Sequence, residues 1–266
     1  MKKAFFVSIP HAGERVPAEA PWLLDLPERL LMFDVDRYVD ILYRPVLERL
    51  KIANVIAEWH RYAVDLNRLA EDVDADSVVG SSNPSGSFPR GLHWSITTSG
   101  EKLMPKPISL ELHNVLVGRY FQPFHNHVRA QFEGFRAQHA KVIYHLDAHS
   151  MPSVGTKEHR DPGEHRADVV VSDCSGKSCS STFRDLVLES YKNAGFKVVL
   201  NWPYLGGRVT ETYGHPDQGQ ESIQVELNRA LYMDETSKAL KGDSLIEIQR
   251  RLGQAIQEIY QGVPSY

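Results

Sequence analysis

The sequence has few cysteines and no long apolar run. Its 266 residues include two cysteines, Cys174 and Cys179 in "CSGKSC", so a disulfide-rich framework is excluded. We expect two reduced structural thiols, with a disulfide or a metal site as the alternatives. No stretch approaches the roughly 20 apolar residues that cross a bilayer, and the apolar run after "MKK" is too short for a signal peptide. These absences predict a cytoplasmic protein with no membrane partner.

An excess of basic residues is also absent. The formal net charge is −4, and the lysines and arginines are scattered, so we expect no nucleic-acid partner. With 42% hydrophobic and 24% charged residues, the composition is that of a globular protein rather than a disordered one. We expect one domain over residues 1–266 and leave the oligomeric state open.

Short apolar runs alternate with segments of helical periodicity. The strand-like runs are 4–10, 53–59, 62–66, 141–148, 167–173, 197–201 and 222–227, and the helical segments are 35–50, 108–139, 180–194 and 243–261. A bend is expected at Pro123. Several runs are apolar on both faces, which favours burial between helices. The pattern predicts a single-domain, three-layer α/β/α fold with a mixed, largely parallel sheet.

Two long segments without periodicity, 70–107 and 150–166, interrupt this alternation. Loops of this length within a compact domain are more often functional covers than simple connections. We therefore expect both segments to lie over a binding site.

Polar side chains occur where the predicted strands end. Ligands of open α/β sheets bind outside the carboxyl ends of the strands, so these residues are site candidates. They are His11 and Glu14 after the first run, Asp65, Asn67 and Arg68 after the third, Asp147 and His149 after "VIYHL", Asp173 after the next, and Glu226 within "SIQVEL".

Two histidines close to carboxylates point to a metal site. His11 and His149 each follow a predicted strand, and Glu14 or Asp36 is the acidic residue that would complete the set. A catalytic zinc keeps three protein ligands and one open position for water. The alternatives are that the histidines are structural and that Asp36 caps the helix it begins. We expect one Zn²⁺ ion.

The remaining candidates bear on catalysis and substrate binding. Glu226 either faces solvent or faces the metal, where it would move a proton. Arg61 and Arg68 either pair with surface acids or bind an anionic substrate through their planar guanidinium groups. In that second role Arg61 or Arg68 would stabilise the tetrahedral oxyanion or clamp the substrate carboxylate.

The stretch "PYLGGRVTETYG" is a further candidate. Gly206 and Gly207 either permit close approach of a ligand or form a tight turn, with Thr210 and Tyr213 as nearby contacts. His125 in "QPFHNHV" either reaches the site from its helix or is an ordinary half-buried histidine.

Separated motifs along most of the chain are similar to those of a known family. They are "SIPHAGERVP", "DVDRYVDILY", "RYAVDLNR", "RYFQPFH", "LDAHSMPS", "SDCSGKSC", "NWPYLGGRVTETYGHP" and "IQVELNRALYM". In this chain order they resemble the N-formylglutamate amidohydrolase family, which in turn looks related to zinc carboxypeptidases.

That resemblance implies roles for individual residues. "HAGE", "DAHS" and "VELN" are similar to the carboxypeptidase motifs, which makes His11 and His149 ligands and Glu226 the general base. "DLNR" resembles the carboxypeptidase segment that binds the substrate carboxylate. This implies that Asn67 and Arg68, next to Asp65, bind the carboxylate of the substrate. Glu14 fits the carboxypeptidase spacing and Asp36 the deformylase type, so both stay candidates.

The predicted function is that of a zinc-dependent hydrolase of an N-acyl amino acid, a small anionic substrate. The resemblance implies N-formyl-L-glutamate, which would be cleaved to formate and L-glutamate. One alternative is a zinc carboxypeptidase or amidase acting on peptides, including cell-wall peptides. Another is a metal-free protein that binds a small carboxylate.

Overall fold

The apolar runs of the sequence build the strands of a twisted sheet. The computed structural model of the chain describes residues 2–266, and within them six strands form one sheet in the order β2, β1, β3, β6, β4, β5. The bounds are β1 Phe5–Ile9, β2 Ala53–Ile56, β3 Ile143–Met151, β4 Val169–Ser172, β5 Val198–Leu200 and β6 Gln220–Asn228. Every pairing is parallel except that of β4 with β6. The predicted mixed, largely parallel sheet is confirmed.

The prediction of a strand at residues 62–66 is wrong. Tyr62, Ala63 and Val64 are buried, which explains their apolar character, but the segment is a turn. The amides of Ala63 and Val64 donate to the carbonyl of His60, the amide of Asp65 donates to the Leu92 carbonyl, and the Tyr62 carbonyl accepts from the Trp94 amide. The segment therefore bonds to itself and to a loop rather than to a strand of the sheet.

Seven α-helices lie within residues 2–266. Their bounds are α1 Glu28–Leu31, α2 Val39–Leu50, α3 Leu110–Leu116, α4 Gln122–Ala137, α5 Ser181–Asn193, α6 Arg208–Tyr213 and α7 Gly242–Gly262. The hydroxyl of Ser180 accepts from the amide of Phe183 and caps α5, as its serines predicted. A π-helical turn, Val117–Phe121, joins α3 to α4 just before Pro123. In residues 2–266 no helix has the length and apolarity to cross a membrane.

The helices cover the sheet on both faces, which gives three layers. On one face, alternate residues of the strands such as Val7, Leu146 and Val225 pack against α2, α5 and α7. On the other face, Phe6 and Ile143 pack with α3 and α4 at the amino-terminal end of the strands. The carboxyl-terminal half of this second face is polar.

The polar half results from the two-residue period of the strands. His149 of β3 lies beside Glu226 of β6, and Asp147 lies beside Gln224. All four side chains point away from the apolar core because their neighbours Ala148 and Val225 point into it. The polar residues therefore lie within the strands, whereas the sequence placed Asp147 and His149 near or beyond a strand end.

The two long aperiodic segments lie next to each other over this polar half. Thr156 donates its hydroxyl to the carbonyl of Thr98 at 2.7 Å, which joins one segment to the other. Cys174 and Cys179, elsewhere on the chain, are free thiols, and burial raises the pKa of Cys174 to about 11.

The stability of the fold should fall in mild acid because buried histidines are neutral. Burial lowers the pKa of His60 from 6.5 to about 4. Its Nε2–H donates to the Leu31 carbonyl at 2.9 Å and its Nδ1 accepts from the Tyr62 amide at 3.2 Å. The unfolded chain therefore binds a proton that the folded chain refuses between pH 6.5 and 4, so this stabilisation is complete above 6.5 and is lost as the pH falls.

We expect His60→Gln, which keeps a donor toward Leu31, to lose less stability in acid than the wild type. Urea unfolding at pH 7 and pH 4 should show the wild type losing roughly 2 to 3 kcal/mol more than the variant. An equal loss in both proteins would remove His60 from the acid response.

Candidate metal centre and active site

Three side chains from separate segments meet at the carboxyl end of the sheet. His11 follows β1, Asp36 precedes α2 and His149 lies in β3; one ligand atom from each lies within 4.8 Å of the others. The side chains are buried, and the two imidazole rings are 4.9 Å apart between centroids. The fold therefore brings distant parts of the chain to one point.

The hydrogen bonds of the two histidines determine which nitrogen faces that point. Nε2 of His11 lies 2.7 Å from Oδ1 of Asp65, and Nε2 of His149 lies 2.7 Å from Oδ2 of Asp147. A neutral imidazole has one N–H, and a carboxylate only accepts, so each Nε2 carries the proton. Each Nδ1 then faces Oδ2 of Asp36, at 3.6 Å for His11 and 3.1 Å for His149, where it shares a proton with that carboxylate or, once deprotonated, offers a lone pair to a cation.

The charges around the three side chains favour a cation between them. Burial opposes ionisation of Asp36, but hydrogen bonds from His11 and His149 outweigh it and hold the carboxyl pKa well below its usual range. Burial also disfavours a charged His149, but Asp147 and Asp36 raise the pKa of that imidazole well above its ordinary value. Two nitrogen lone pairs and a carboxylate oxygen around one point form a donor set that fits a divalent cation.

Glu14, the other acidic candidate, lies outside the group. Its carboxylate accepts from Nε of Arg37 at 2.7 Å and is partly exposed. His11 and Glu14 are not on a helix, so a spacing of three does not bring their side chains together. Asp36 does not cap α2 either, since its carboxylate contacts His149, Ser150 and Arg229.

Arg229 holds Asp36 in place and was missed from the sequence. It is buried, its Nη2 lies 2.9 Å from Oδ1 of Asp36, and its Nε donates to Ser150. Arg229 directly follows β6 at the carboxyl end of the sheet, in "VELNR". The rule that selected Glu226 applies to it equally.

Asp65 orients His11 and does not line the cavity. Besides His11, its carboxylate accepts from Nη2 of Arg61 at 2.9 Å, Nε1 of Trp94 at 2.9 Å and the amide of Asn67 at 2.9 Å. These four contacts use the lone pairs of both oxygens, so Asp65 has little capacity for a substrate. Arg61 does line the cavity.

Asp147 orients His149 and lies at the end of a buried hydrogen-bond chain. The hydroxyl of Ser8 donates to Oδ1 of Asp147 and lies 2.7 Å from Nε2 of His145. Nδ1 of His145 lies 2.8 Å from the hydroxyl of Ser222. Because Ser8 donates its proton to the carboxylate, it accepts from His145, which in turn accepts from Ser222. The chain therefore runs in one direction, toward Asp147.

Glu226 lies beside the three-residue group. It lines a cavity of about 220 Å³ together with His11, Asp36 and His149, and Nε2 of Gln224 donates to its carboxylate at 2.8 Å. Burial, with a further contribution from Asp36, raises the pKa of Glu226 to about 7. A carboxyl group with this pKa can both take and return a proton near neutral pH.

Arg68 and Asn67 reach the same cavity. Arg68 donates to the carbonyls of Arg90 and Asn67, each at 2.8 Å, and within residues 2–266 this guanidinium forms no ion pair. Oδ1 of Asn67 accepts from the Val209 amide at 2.8 Å. One cation without a carboxylate partner therefore faces the cavity.

Gly206 and Gly207 also line the cavity, and both contact protein closely. Gly206 has a φ of +126°, and a Cβ there would lie 2.5 Å from Sγ of Cys174. A Cβ on Gly207 would lie 2.0 Å from Nδ2 of Asn67. Both readings of this pair therefore hold in part, since the loop is tight and borders the cavity.

Three further candidates lie behind the cavity. His125 donates from Nε2 to the Leu66 carbonyl at 3.1 Å and accepts from the Tyr213 hydroxyl at 2.9 Å; burial lowers its pKa to about 4. Thr210 is buried on α6. These residues support the turn that carries Asp65 and Arg68.

Several cavity residues come from the long loops, for which the sequence carried no motif. The loops were expected to cover a site, but no pattern marked individual side chains. The residues missed are Arg90, Trp94, Thr98, Ser150, Pro152, Glu158 and His159 of these segments, Asp34 and Tyr204 of other connections and, on β6, Gln224.

Comparison with known proteins identifies the family of the chain. The family model of N-formylglutamate amidohydrolase matches residues 3–233. The N-formylglutamate deformylase of Pseudomonas aeruginosa is 28% identical over 247 residues, covering 92% of this chain and 87% of the relative. That of Pseudomonas putida is 28% identical over 232 residues, covering 86% and 82%.

Solved structures show the same fold. The crystal structure of N-formylglutamate amidohydrolase from Ralstonia eutropha JMP134 has a TM-score of 0.88 and 25% identity, covering 98% of this chain and 94% of that one. A gene product of Agrobacterium tumefaciens has a TM-score of 0.68 at 17% identity, covering 97% and 92%. The chain belongs to the N-formylglutamate amidohydrolase family and is a hydrolase of carbon–nitrogen amide bonds.

Proposed function

We propose that this protein hydrolyses an N-acyl amino acid, with N-formyl-L-glutamate as the leading substrate, and that His11, Asp36 and His149 hold one Zn²⁺ ion. The observation that carries the proposal is the convergence of both Nδ1 atoms and Asp36 Oδ2 beside buried Glu226. The names of the Pseudomonas and Ralstonia proteins support the substrate.

The metal is assigned from the donor atoms. Two imidazole nitrogens and one carboxylate oxygen, with a cavity on the open side, match the ligand set of a catalytic zinc. When bound, the ion lowers the pKa of a water molecule toward about 7 and polarises the amide carbonyl. Asp65, Asp147 and Arg229 would keep the ligand atoms in position by the hydrogen bonds described above.

Glu226 is assigned as the proton carrier. It takes a proton from the attacking water and returns it to the nitrogen of the leaving amine, so that the amine departs neutral. Its buried carboxylate, which lines the cavity beside the three ligand residues, supports both transfers.

Arg68 and Arg61 are assigned to two different negative charges of the reacting substrate. Arg68 has no carboxylate partner in residues 2–266 and is assigned to the substrate α-carboxylate, with Asn67 beside it. Arg61 is neutralised by Asp65 at 2.9 Å, but its buried Nε–H has no acceptor within residues 2–266. Its positive charge at the cavity wall is assigned to the developing oxyanion.

The shape of the cavity favours a small substrate over a peptide. A volume of about 220 Å³ lies below the roughly 300 to 1,000 Å³ of pockets that bind drug-sized ligands. The contact between Thr156 and Thr98 joins the two long segments that contribute residues to this cavity.

We expect His149→Ala to lose its zinc and Glu14→Gln to retain it. The first substitution removes one of three donors, and the second changes a carboxylate bound to Arg37. Metal analysis of both purified proteins should give close to one zinc per chain for Glu14→Gln and the wild type. Full zinc in His149→Ala, or loss of zinc in Glu14→Gln, would contradict the ligand assignment.

Glu226→Gln should keep its zinc and lose about 10²- to 10⁴-fold in kcat, the usual contribution of a general base. The amide is isosteric but cannot take a proton. Turnover of N-formyl-L-glutamate is the measurement, and Glu247→Gln, at an exposed glutamate, is the matched control. Wild-type kcat in Glu226→Gln would exclude the residue from the mechanism.

Arg68→Gln should raise KM for N-formyl-L-glutamate and leave kcat less affected. The lost interaction is a charge-assisted hydrogen bond to the substrate, which contributes equally to ground and transition states. We expect about a 30-fold or larger loss in kcat/KM. Replacing the α-carboxylate of the substrate by an amide should largely abolish the difference between Arg68→Gln and the wild type; a persistent difference would refute the assignment.

A further inference from the structure

Two arginines that line the cavity are joined through a side chain and a backbone carbonyl. Nε of Arg68 donates to the backbone carbonyl of Arg90 at 2.8 Å, and both side chains reach the cavity wall. Arg90 has one acidic neighbour, Glu158, at 3.5 Å, and both groups of this pair are partly exposed. The cavity therefore has a region with two positive charges and one loosely held negative charge.

The other two arginines of the cavity are neutralised by buried acids. Arg61 pairs with Asp65 at 2.9 Å, and Arg229 pairs with Asp36 at 2.9 Å. Burial lowers the pKa of Arg68, and the charges of Arg61 and Arg90 lower it further, against the opposing effect of Asp65. Within residues 2–266, Arg68 and Arg90 are the two of these four arginines that form no ion pair with a buried acid.

The backbone at Arg90 is held in place although it lies in a long loop. Its carbonyl accepts from Arg68, and the amide of Leu92 donates to the Asp72 carbonyl at 2.7 Å. A Cβ on Gly91 would lie 2.0 Å from that same carbonyl oxygen, so the chain packs too closely there for any other residue. The Arg90 side chain thus starts from a backbone position that is held beside the Arg68 guanidinium.

The carboxylate of Glu158 is held weakly in comparison with the backbone of Arg90. Its single contact with Arg90 is long, and an exposed ion pair of this kind contributes about 0 to 1 kcal/mol. A ligand carboxylate placed between the loops would form two parallel hydrogen bonds with a guanidinium, which is the stronger arrangement. Such a carboxylate can displace Glu158.

We propose that Arg90 determines specificity by binding the side-chain carboxylate of a dicarboxylic N-acyl amino acid, and that Glu158 occupies this position until the substrate arrives. The inference rests on the proposed function and extends it. Arg68 binds the α-carboxylate, Arg90 binds the distal one, and the amide bond lies toward Glu226. The enzyme then selects dianions over monoanions of the same size.

The test compares N-formyl-L-glutamate with N-formyl-L-glutamine, which differ in the charge of the side chain and hardly in shape. The wild type should prefer the glutamate by its kcat/KM. Arg90→Gln should lower kcat/KM for the glutamate by about 10- to 100-fold, mainly through KM. For N-formyl-L-glutamine, the loss of kcat/KM in Arg90→Gln should be at least tenfold smaller. Arg90→Lys should recover part of the preference for N-formyl-L-glutamate.

Glu158→Gln gives an independent test of the competing carboxylate. Because the variant leaves Arg90 without a partner, KM for N-formyl-L-glutamate should fall by about threefold, whereas KM for the glutamine should change little. A higher KM for the glutamate in this variant would overturn the role of Glu158. Equal losses with both substrates in Arg90→Gln would overturn the role of Arg90.

A binding measurement separates this inference from the proposed function. Calorimetric titration of zinc-loaded Glu226→Gln with the two compounds measures recognition without turnover. If the wild type hydrolyses neither compound, the proposed function fails. A preference of Glu226→Gln for the glutamate that disappears on adding Arg90→Gln would still support the recognition of a dianion, and equal affinities would refute it.

Discussion

The site depends on where two protons are held. Asp65 and Asp147 each accept the Nε2–H of one histidine, and this leaves both Nδ1 atoms facing the carboxylate of Asp36. Without those acceptors either imidazole could adopt the other tautomer and present an N–H to the same point. The buried chain from Ser222 through His145 and Ser8 extends this control across three strands. The ligand geometry is therefore determined by hydrogen bonds that lie outside the cavity.

The fold and the centre of the site were predictable because they depend on local patterns. Apolar runs marked all six strands, and polar residues near their ends marked His11, His149 and Glu226. The choice between Glu14 and Asp36 was not predictable, because it depends on where the loop before α2 crosses the sheet. That crossing is set by the amide of Asp36, which donates to the carbonyl of His11, a contact between distant residues. Whether residues 1–266 form one domain stays a prediction.

The remaining misses share a physical cause. Residues 62–66 looked like a strand because burial selects apolar side chains whatever the backbone conformation, and here the backbone turns. Arg90 and Glu158 stand in loops whose path is set by single hydrogen bonds, such as that between Thr156 and Thr98. No periodicity accompanies such loops, so individual residues in them carry no signal in one sequence.

The two faces of β3 and β6 lie in different surroundings. Ala148 and Val225 are buried in the core, while His149 and Glu226, one position further along, line the cavity. A slip of β6 by one residue would direct Leu227 into the cavity and place a carboxylate in the hydrocarbon interior. Because burying a carboxylate in the core is unfavourable, the core stabilises the one strand register that also directs Glu226 into the cavity.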